Sequence, residues 1–138
     1  MDSIAREIRE LHDFFAKWFN GEIPQNKIEF SRLEEAIADD FVLLSPNGQR
    51  SSRKQVIARI YSAYGSHKKD STRFQINIGN ITVNPISSNY FIAMYEEWQE
   101  SNTKRTGRIS TALFHKNTSL VNGVEWIHVH ETWIPDTV

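Results

Sequence analysis

Apolar residues recur at steps of three and four from Ser3 to about Asn20, where Ile4, Ile8, Leu11, Phe15 and Trp18 form one stripe that Phe14 and Phe19 widen. This spacing predicts a long amphipathic helix. Asn20-Gly21 closes it, since glycine enters the left-handed conformation of a helix C-cap without steric cost. A shorter helix is expected next: Ser31 and Glu34 have capping-box spacing, and Leu33, Ala36 and Ile37 supply its buried side before Asp39-Asp40 ends it. Phe41 to Ser45 reads as a short strand stopped by the turn tripeptide Pro46-Asn47-Gly48. Ser52 and Gln55 then form a capping box ahead of Val56, Ile57, Ile60, Tyr61 and Tyr64 at helical spacing. The segment Ser66 to Ser71 reads as a solvated loop.

Beyond Thr72 the period falls to two. Phe74 to Val83 sets Phe74, Ile76 and Ile78 against Gln75, Asn77 and Gly79, and Tyr90 to Glu100 and Arg108 to Lys116 are also β-rich. Residues 85–89, Ser101 to Thr106 and Asn117 to Gly123 are the expected turns, each short enough for a hairpin. The last strand, Gly123 to Trp133, alternates Trp126, His128, His130 and Thr132 with Ile127, Val129, Glu131 and Trp133. Tryptophan on both faces argues for a central strand, with core on one side and a polar-lined cavity or interface on the other. Helices followed by an antiparallel meander define an α+β fold, a curved antiparallel sheet wrapped like a cone on three N-terminal helices. Such a cone encloses a cavity, and residues 1–138 form one domain, with Pro135 to Val138 as a short tail.

Composition narrows the partners. Sixteen basic against seventeen acidic side chains leave a formal charge of -1, without the basic surplus that phosphate-backbone binding requires, so nucleic acid is not an expected partner. The absence of cysteine removes disulfides, thiolate metal sites and cysteine nucleophiles, and permits a reducing compartment. No stretch approaches membrane-spanning length, and the N-terminus lacks the unbroken apolar run of a signal peptide. A cytoplasmic protein with no membrane partner is the expectation. The motifs of serine hydrolysis, nucleotide binding and zinc proteolysis are missing.

The element order, with Phe41-Val42 and Asn47-Gly48 after the second helix, the Tyr90 to Glu97 strand and the closing Gly123-x-x-Trp126-x-x-Val129-His130, resembles the nuclear transport factor 2-like superfamily. Within it the chain is similar to the SnoaL-like proteins and the calcium/calmodulin-dependent kinase association domain. The resemblance implies a cystatin-like cone, often a homodimer, with a pocket between concave sheet and helices. In the catalytic members that pocket holds an Asp or His base, a donor opposite it and an apolar wall. Trp126, Val129 and His130 match the closing element, whereas His128 departs from it. The superfamily hosts isomerases, cyclases, dehydratases, adaptors and oligomerisation domains, so the resemblance does not select a reaction.

Candidate chemistry centres on His128 and His130, whose Cα atoms lie roughly 6.5–7 Å apart on one face of a strand. They read as a general base with an assisting imidazole, as two metal ligands lacking a third, or as structural hydrogen-bonders at a dimer interface. In YFIAMYEEW either Tyr90, Ile92, Met94, Glu96 and Trp98 or Phe91, Ala93 and Tyr95 form the inner set. A symmetric last hairpin places Ser110 near His130 and Arg108 near Thr132. The expected site is therefore His130, His128 and Glu96 as the catalytic set. Arg108, Ser110 and Thr132 would contact ligand, with Trp98 and Trp126 as walls. A salt bridge from Glu96 or Glu131 to Arg108 that only holds the sheet together is the competing reading. Glu131 and Trp133 are expected to face away, for packing or a partner surface. The functional expectation is an unknown small molecule bound without cofactor or metal, with isomerisation, dehydration or cyclisation by proton transfer. The alternatives are a non-enzymatic oligomerisation or adaptor module and, third, a metal-binding cupin-like protein.

Overall fold

The computed structural model describes residues 2–102 and 104–137; Met1, Thr103 of the expected loop and Val138 of the expected tail lie outside the described residues. Helix α1 runs Asp2–Phe19 and α2 Lys27–Ala36; strands β1 Ile37–Leu44 and β2 Arg50–Ser52 precede α3, Arg53–Ser62. The remainder is strand: β3 Gln75–Pro85, β4 Tyr90–Ser101, β5 Lys104–Lys116 and β6 Val124–Trp133. No described helix is long and apolar enough to cross a membrane.

The capping box at Ser52 forms as expected, with the Ser52 side chain accepting from Gln55 N and the Gln55 side chain accepting from Ser52 N. The one expected at Ser31 does not form. Asn26 caps α2 instead, accepting from Glu29 N at 2.9 Å, and Ser31 Oγ donates back to the Ile28 carbonyl. Asparagine is among the best N-caps, so the helix starts before the apolar run that revealed it. It also stops sooner: Ile37 is already extended, and Asp39 and Asp40 belong to β1. The loop expected from Ser101 to Thr106 is shortened, because Ser101 already pairs with Lys104.

The six strands make one sheet in the order β2-β1-β6-β5-β4-β3. The meander β3 to β6 is antiparallel as expected, but β1 joins it alongside β6 in parallel, so the sheet is mixed. Helices pack on one face of the curved sheet and leave the other uncovered. Ile8, Leu11, Phe30 and Leu33 from the helices meet Tyr95, Ala112, Phe114 and Trp126 from the strands. Each Ile, Leu or Phe side chain among them, fully buried, contributes about 1.5–3 kcal/mol relative to exposure. Trp18 anchors the helical layer: it is fully buried against Phe14, Phe30 and Tyr64, and its indole N–H donates to the Ile60 carbonyl at 2.8 Å.

Candidate functional site

A single extra residue decides which side chains reach the interior. Phe114 pairs with Trp126 but Leu113 pairs with His128, so Ile127 is a bulge in β6 with no opposite number on β5. Strict alternation from Trp126 therefore fails. Trp126 stays inside, and from Val129 onward the odd-numbered residues are the inner ones. The register shifts with it: Ser110 faces Glu131 and Arg108 faces Trp133, while His130 lies opposite Thr111 and Thr132 opposite Ile109.

The placement expected for the histidines is corrected accordingly. His130 and Thr132 are exposed and His128 half-buried on the uncovered face of the sheet. Glu96 and Trp98 lie there too, since the odd residues Ala93, Tyr95 and Glu97 are the buried set of β4. Glu96 accepts from Asn80 Nδ2 at 2.7 Å and from Trp98 Nε1 at 3.0 Å, and these bonds hold its carboxyl below the usual range. The Trp98 ring covers Gly107, where a Cβ would stand 2.5 Å from it, and carries the Arg105 guanidinium 3.9 Å above its centroid. The expected set thus splits: Arg108, Ser110 and Trp126 are on the inner face with Glu131, and the others are outside.

The interior holds a cavity of about 170 Å³ between the sheet and all three helices. Its walls are mostly apolar, with Leu11, Phe15, Phe41, Leu43, Ile60 and Val129 among them. Polar groups converge on one side: His12, Glu97, Gln99 and Glu131. His12 comes from α1, where its Nδ1 is 2.7 Å from the Ile8 carbonyl and its Nε2 3.1 Å from Glu97 Oε1. Both partners accept, an arrangement that favours hydrogen on both ring nitrogens and hence the imidazolium form. Burial opposes that charge, but the Glu97 charge and hydrogen bond and the Ile8 carbonyl together raise its pKa. Glu97 likewise resists its own burial. His12, then Arg108 and the Gln99 amide at 2.6 Å, draw its pKa down to about 2.

Glu131 is the opposite case. Its side chain is 10% exposed, and its two neighbours, Arg108 Nη1 and Ser110 Oγ, both stand back at 3.4 Å. Burial and the Glu97 charge outweigh Arg108 and His12, and its pKa rises to about 7. The Tyr95 phenol is pushed well above its usual value, first by burial and then by Glu97 and Glu131. Arg108, stacked 4.8 Å from the Trp133 ring centroid, keeps its Nε buried with no partner among the described residues. Among those residues no group of three or more His, Cys, Asp or Glu side chains could hold a metal ion.

Sequence reasoning passed over His12, Glu97 and Glu131 as site residues. A signal for His12 existed: positions 8, 11, 12 and 15 share one helix face, so a histidine there is flanked by Ile8, Leu11 and Phe15. Glu7 sits on the edge of the same stripe and is equally buried, but it is fully engaged. It accepts from Arg32 at 2.7 and 3.2 Å, from Asn122 at 2.9 Å and from the Trp126 indole at 2.9 Å, tying α1 to α2 and β6.

Known proteins agree with this fold. A structure of an NTF-2 like protein of unknown function from Pseudomonas aeruginosa superposes with a TM-score of 0.83 at 21% identity, over 96% of this chain and 98% of that one. The S. rosetta CaMKII hub does so with a TM-score of 0.74 at 11% identity, over 96% and 95%. Candidate ketosteroid isomerases share the fold at lower similarity. The nuclear transport factor 2-like, cystatin-like architecture is therefore established, and a cupin barrel is not what the chain forms. In sequence, the chain is 26% identical to sucrose-phosphatase 2 of Nicotiana tabacum over 94% of its length, yet it spans only 30% of that relative. Residues 4–135 match the sucrose-6-phosphate phosphohydrolase C-terminal family, and the chain belongs to that family.

Proposed function

We propose that this domain binds a compact, mainly apolar molecule in the cavity between helices and sheet, and that Glu131 exchanges a proton with it in an isomerase-type reaction without cofactor. The observation that carries this reading is the Glu131 carboxyl itself, nearly buried at an apolar cavity, loosely held at 3.4 Å and with a pKa of about 7. A group titrating there can both give and take a proton at neutral pH. The committed His12–Glu97 pair supplies a fixed electrostatic frame, and Arg108, 3.4 Å from Glu131 Oε1, adds positive charge beside that carboxyl from outside the cavity lining. The likeness to candidate ketosteroid isomerases supports the reaction class through fold alone. The test is carbon-bound proton exchange in deuterium oxide, followed by NMR over a panel of ring ketones and small carboxylic acids. Exchange by the native protein that falls about 100-fold in Glu131→Gln is expected for a general acid–base residue; exchange unchanged by that substitution overturns the assignment.

A second reading, compatible with the first, is self-association through the uncovered sheet face. Tyr90, Ile92 and Met94 are exposed there at 42%, 37% and 51%, and the half-buried Ile109, Leu113 and His128 continue the patch across β5 and β6. Exposed apolar area of this kind marks an interface. His128 and His130 then act in assembly, and the partner is a second copy of the chain, forming a homodimer. Sedimentation equilibrium should give a dimer for the native chain and a monomer for Met94→Glu; a native monomer at high micromolar concentration discards this reading.

A further inference from the structure

We infer that the cavity takes a neutral molecule with one hydroxyl on an apolar body no larger than one six-membered ring, and that this hydroxyl donates to Glu131. This rests on the reading of the cavity as a ligand site and names the class of molecule that fills it.

Size and walls set the outline. The cavity measures about 170 Å³, and an apolar cavity of about 150 Å³ accepts a benzene-sized guest. A sugar carries a hydroxyl on nearly every carbon, and each needs a partner when buried. Leu11, Phe15, Phe41 and Leu43 offer none. A sugar or sugar phosphate therefore does not match this lining, although the family's name concerns one.

Charge narrows the class. Among the described residues the lining holds two carboxylates, Glu97 and Glu131, and neither lysine nor arginine. An anion would lose its hydration there and meet no free counter-ion, since the His12 ring is engaged with Glu97 at 3.1 Å. A cation fares little better. Its open partner, Glu131, already has Arg108 3.4 Å away outside the lining, and the His12 charge acts on the same carboxyl. A neutral guest avoids both conflicts.

The donor and acceptor count then selects the functional group. The donors of the lining are engaged with the protein: both His12 nitrogens face acceptors, the Trp126 indole N–H goes to Glu7, the Tyr95 hydroxyl pairs with Ser110, and Gln99 Nε2 gives a hydrogen to Glu97. What stays open is an acceptor. Glu131 has its two donors, Arg108 Nη1 and Ser110 Oγ, only at 3.4 Å. A carboxyl accepts in either protonation state and donates only when protonated. A ligand hydroxyl therefore finds its partner in both states, whereas a ketone oxygen faces another acceptor whenever Glu131 is ionised, and a buried acceptor left without a donor is costly. The enol of a ring ketone carries the same O–H, so the class also suits the proton exchange proposed for Glu131.

Titration calorimetry on the full chain tests this with cyclohexanol, cyclohexanone, cyclohexylammonium and glucose 6-phosphate, the first three matched in size. At pH 8 cyclohexanol should bind about tenfold tighter than cyclohexanone or cyclohexylammonium. It should also bind no more weakly than at pH 6, because Glu131, with its pKa of about 7, is then ionised and the stronger acceptor. Glu131→Gln adds an N–H donor, so it should strengthen cyclohexanone binding and bring alcohol and ketone within about threefold of each other. Val129→Phe, checked for folding by circular dichroism, fills part of the cavity and should abolish binding of both. Cyclohexanone binding as tightly as cyclohexanol at pH 8 overturns the hydroxyl while leaving the cavity as a site, and cyclohexylammonium binding as tightly or tighter overturns the neutral class in the same way. Glucose 6-phosphate binding in a manner lost on Val129→Phe overturns it too. If neither cyclohexanol nor cyclohexanone binds the folded native chain, the cavity reading falls with the inference.

Discussion

Two carboxylates on the inner face of one sheet, on strands that flank β5, behave in opposite ways. Glu97 meets the His12 ring at 3.1 Å and an amide at 2.6 Å, and its pKa sinks to about 2; the two hydrogen-bond partners of Glu131 stand at 3.4 Å, and its pKa climbs to about 7. Both are largely buried, so burial alone does not make a carboxyl reactive. What separates them is commitment: a buried charge bound at close range is structural, and one left loosely held is free to exchange its proton. Glu96, the chain neighbour of Glu97, extends the comparison to the uncovered face, where hydrogen bonds from Asn80 and Trp98 lower the pKa of a surface carboxylate.

The largest effect expected from breaking this contrast is at Glu97. Glu97→Ala leaves the His12 imidazolium buried without its counter-ion and should cost about 3 kcal/mol in urea unfolding at pH 7. A loss below about 1 kcal/mol, the scale of an ordinary surface change, would show that the pair does not hold the interior. In the native chain this pair also gives a pH signature. A depressed carboxyl stabilises above its unfolded value of 4.5, and that stability is lost as pH falls toward 2. His12, raised above 6.5, contributes fully below that value and loses its contribution as pH rises through its folded pKa.

Glu131 has the reverse sign to Glu97. Its raised pKa means the folded chain holds a proton that the unfolded chain releases, so stability falls as pH rises from 4.5 to about 7. Glu131→Gln removes that slope and should be more stable than the native chain at pH 8 by about 2 kcal/mol, after allowance for partial exposure. Thermal melts of both proteins from pH 4.5 to 8 check this; parallel curves would mean Glu131 is an unperturbed carboxylate. The smallest effects belong to the uncovered face. Glu96→Ala and His130→Ala should each change stability by less than about 0.5 kcal/mol in urea unfolding.

Much of the fold was legible. The α1 stripe, the Ser52 capping box and the alternating strands each follow a local periodicity, and local periodicity survives in the folded chain. The start of α2 was misplaced because Asn26 precedes the apolar run. The site is legible in part: Arg108, Ser110 and Trp126, expected in one site, do share the inner face, and the pairing of Arg108 with Glu131 is the salt bridge of the competing reading, whereas His128 and His130 are not their partners. Counting by twos from Trp126 puts both histidines inside. Ile127 breaks that count, and no residue type in Trp126-Ile127-His128 signals a bulge. His12 was obscured for another reason, since its partner Glu97 lies 85 positions away, on a strand whose phase was open.

From the sequence alone came the three helices, the long strands and their order, and the alternation within each unbroken stretch of strand, because each depends on the conformation of neighbours along the chain. Which face turns inward, where an extra residue resets the alternation, and which of three glutamates stays uncommitted were decided by strand pairing and by α1 crossing the sheet. Those depend on contacts between segments far apart in the chain, and the free energy of a buried charge is set by such contacts rather than by the residue that carries it.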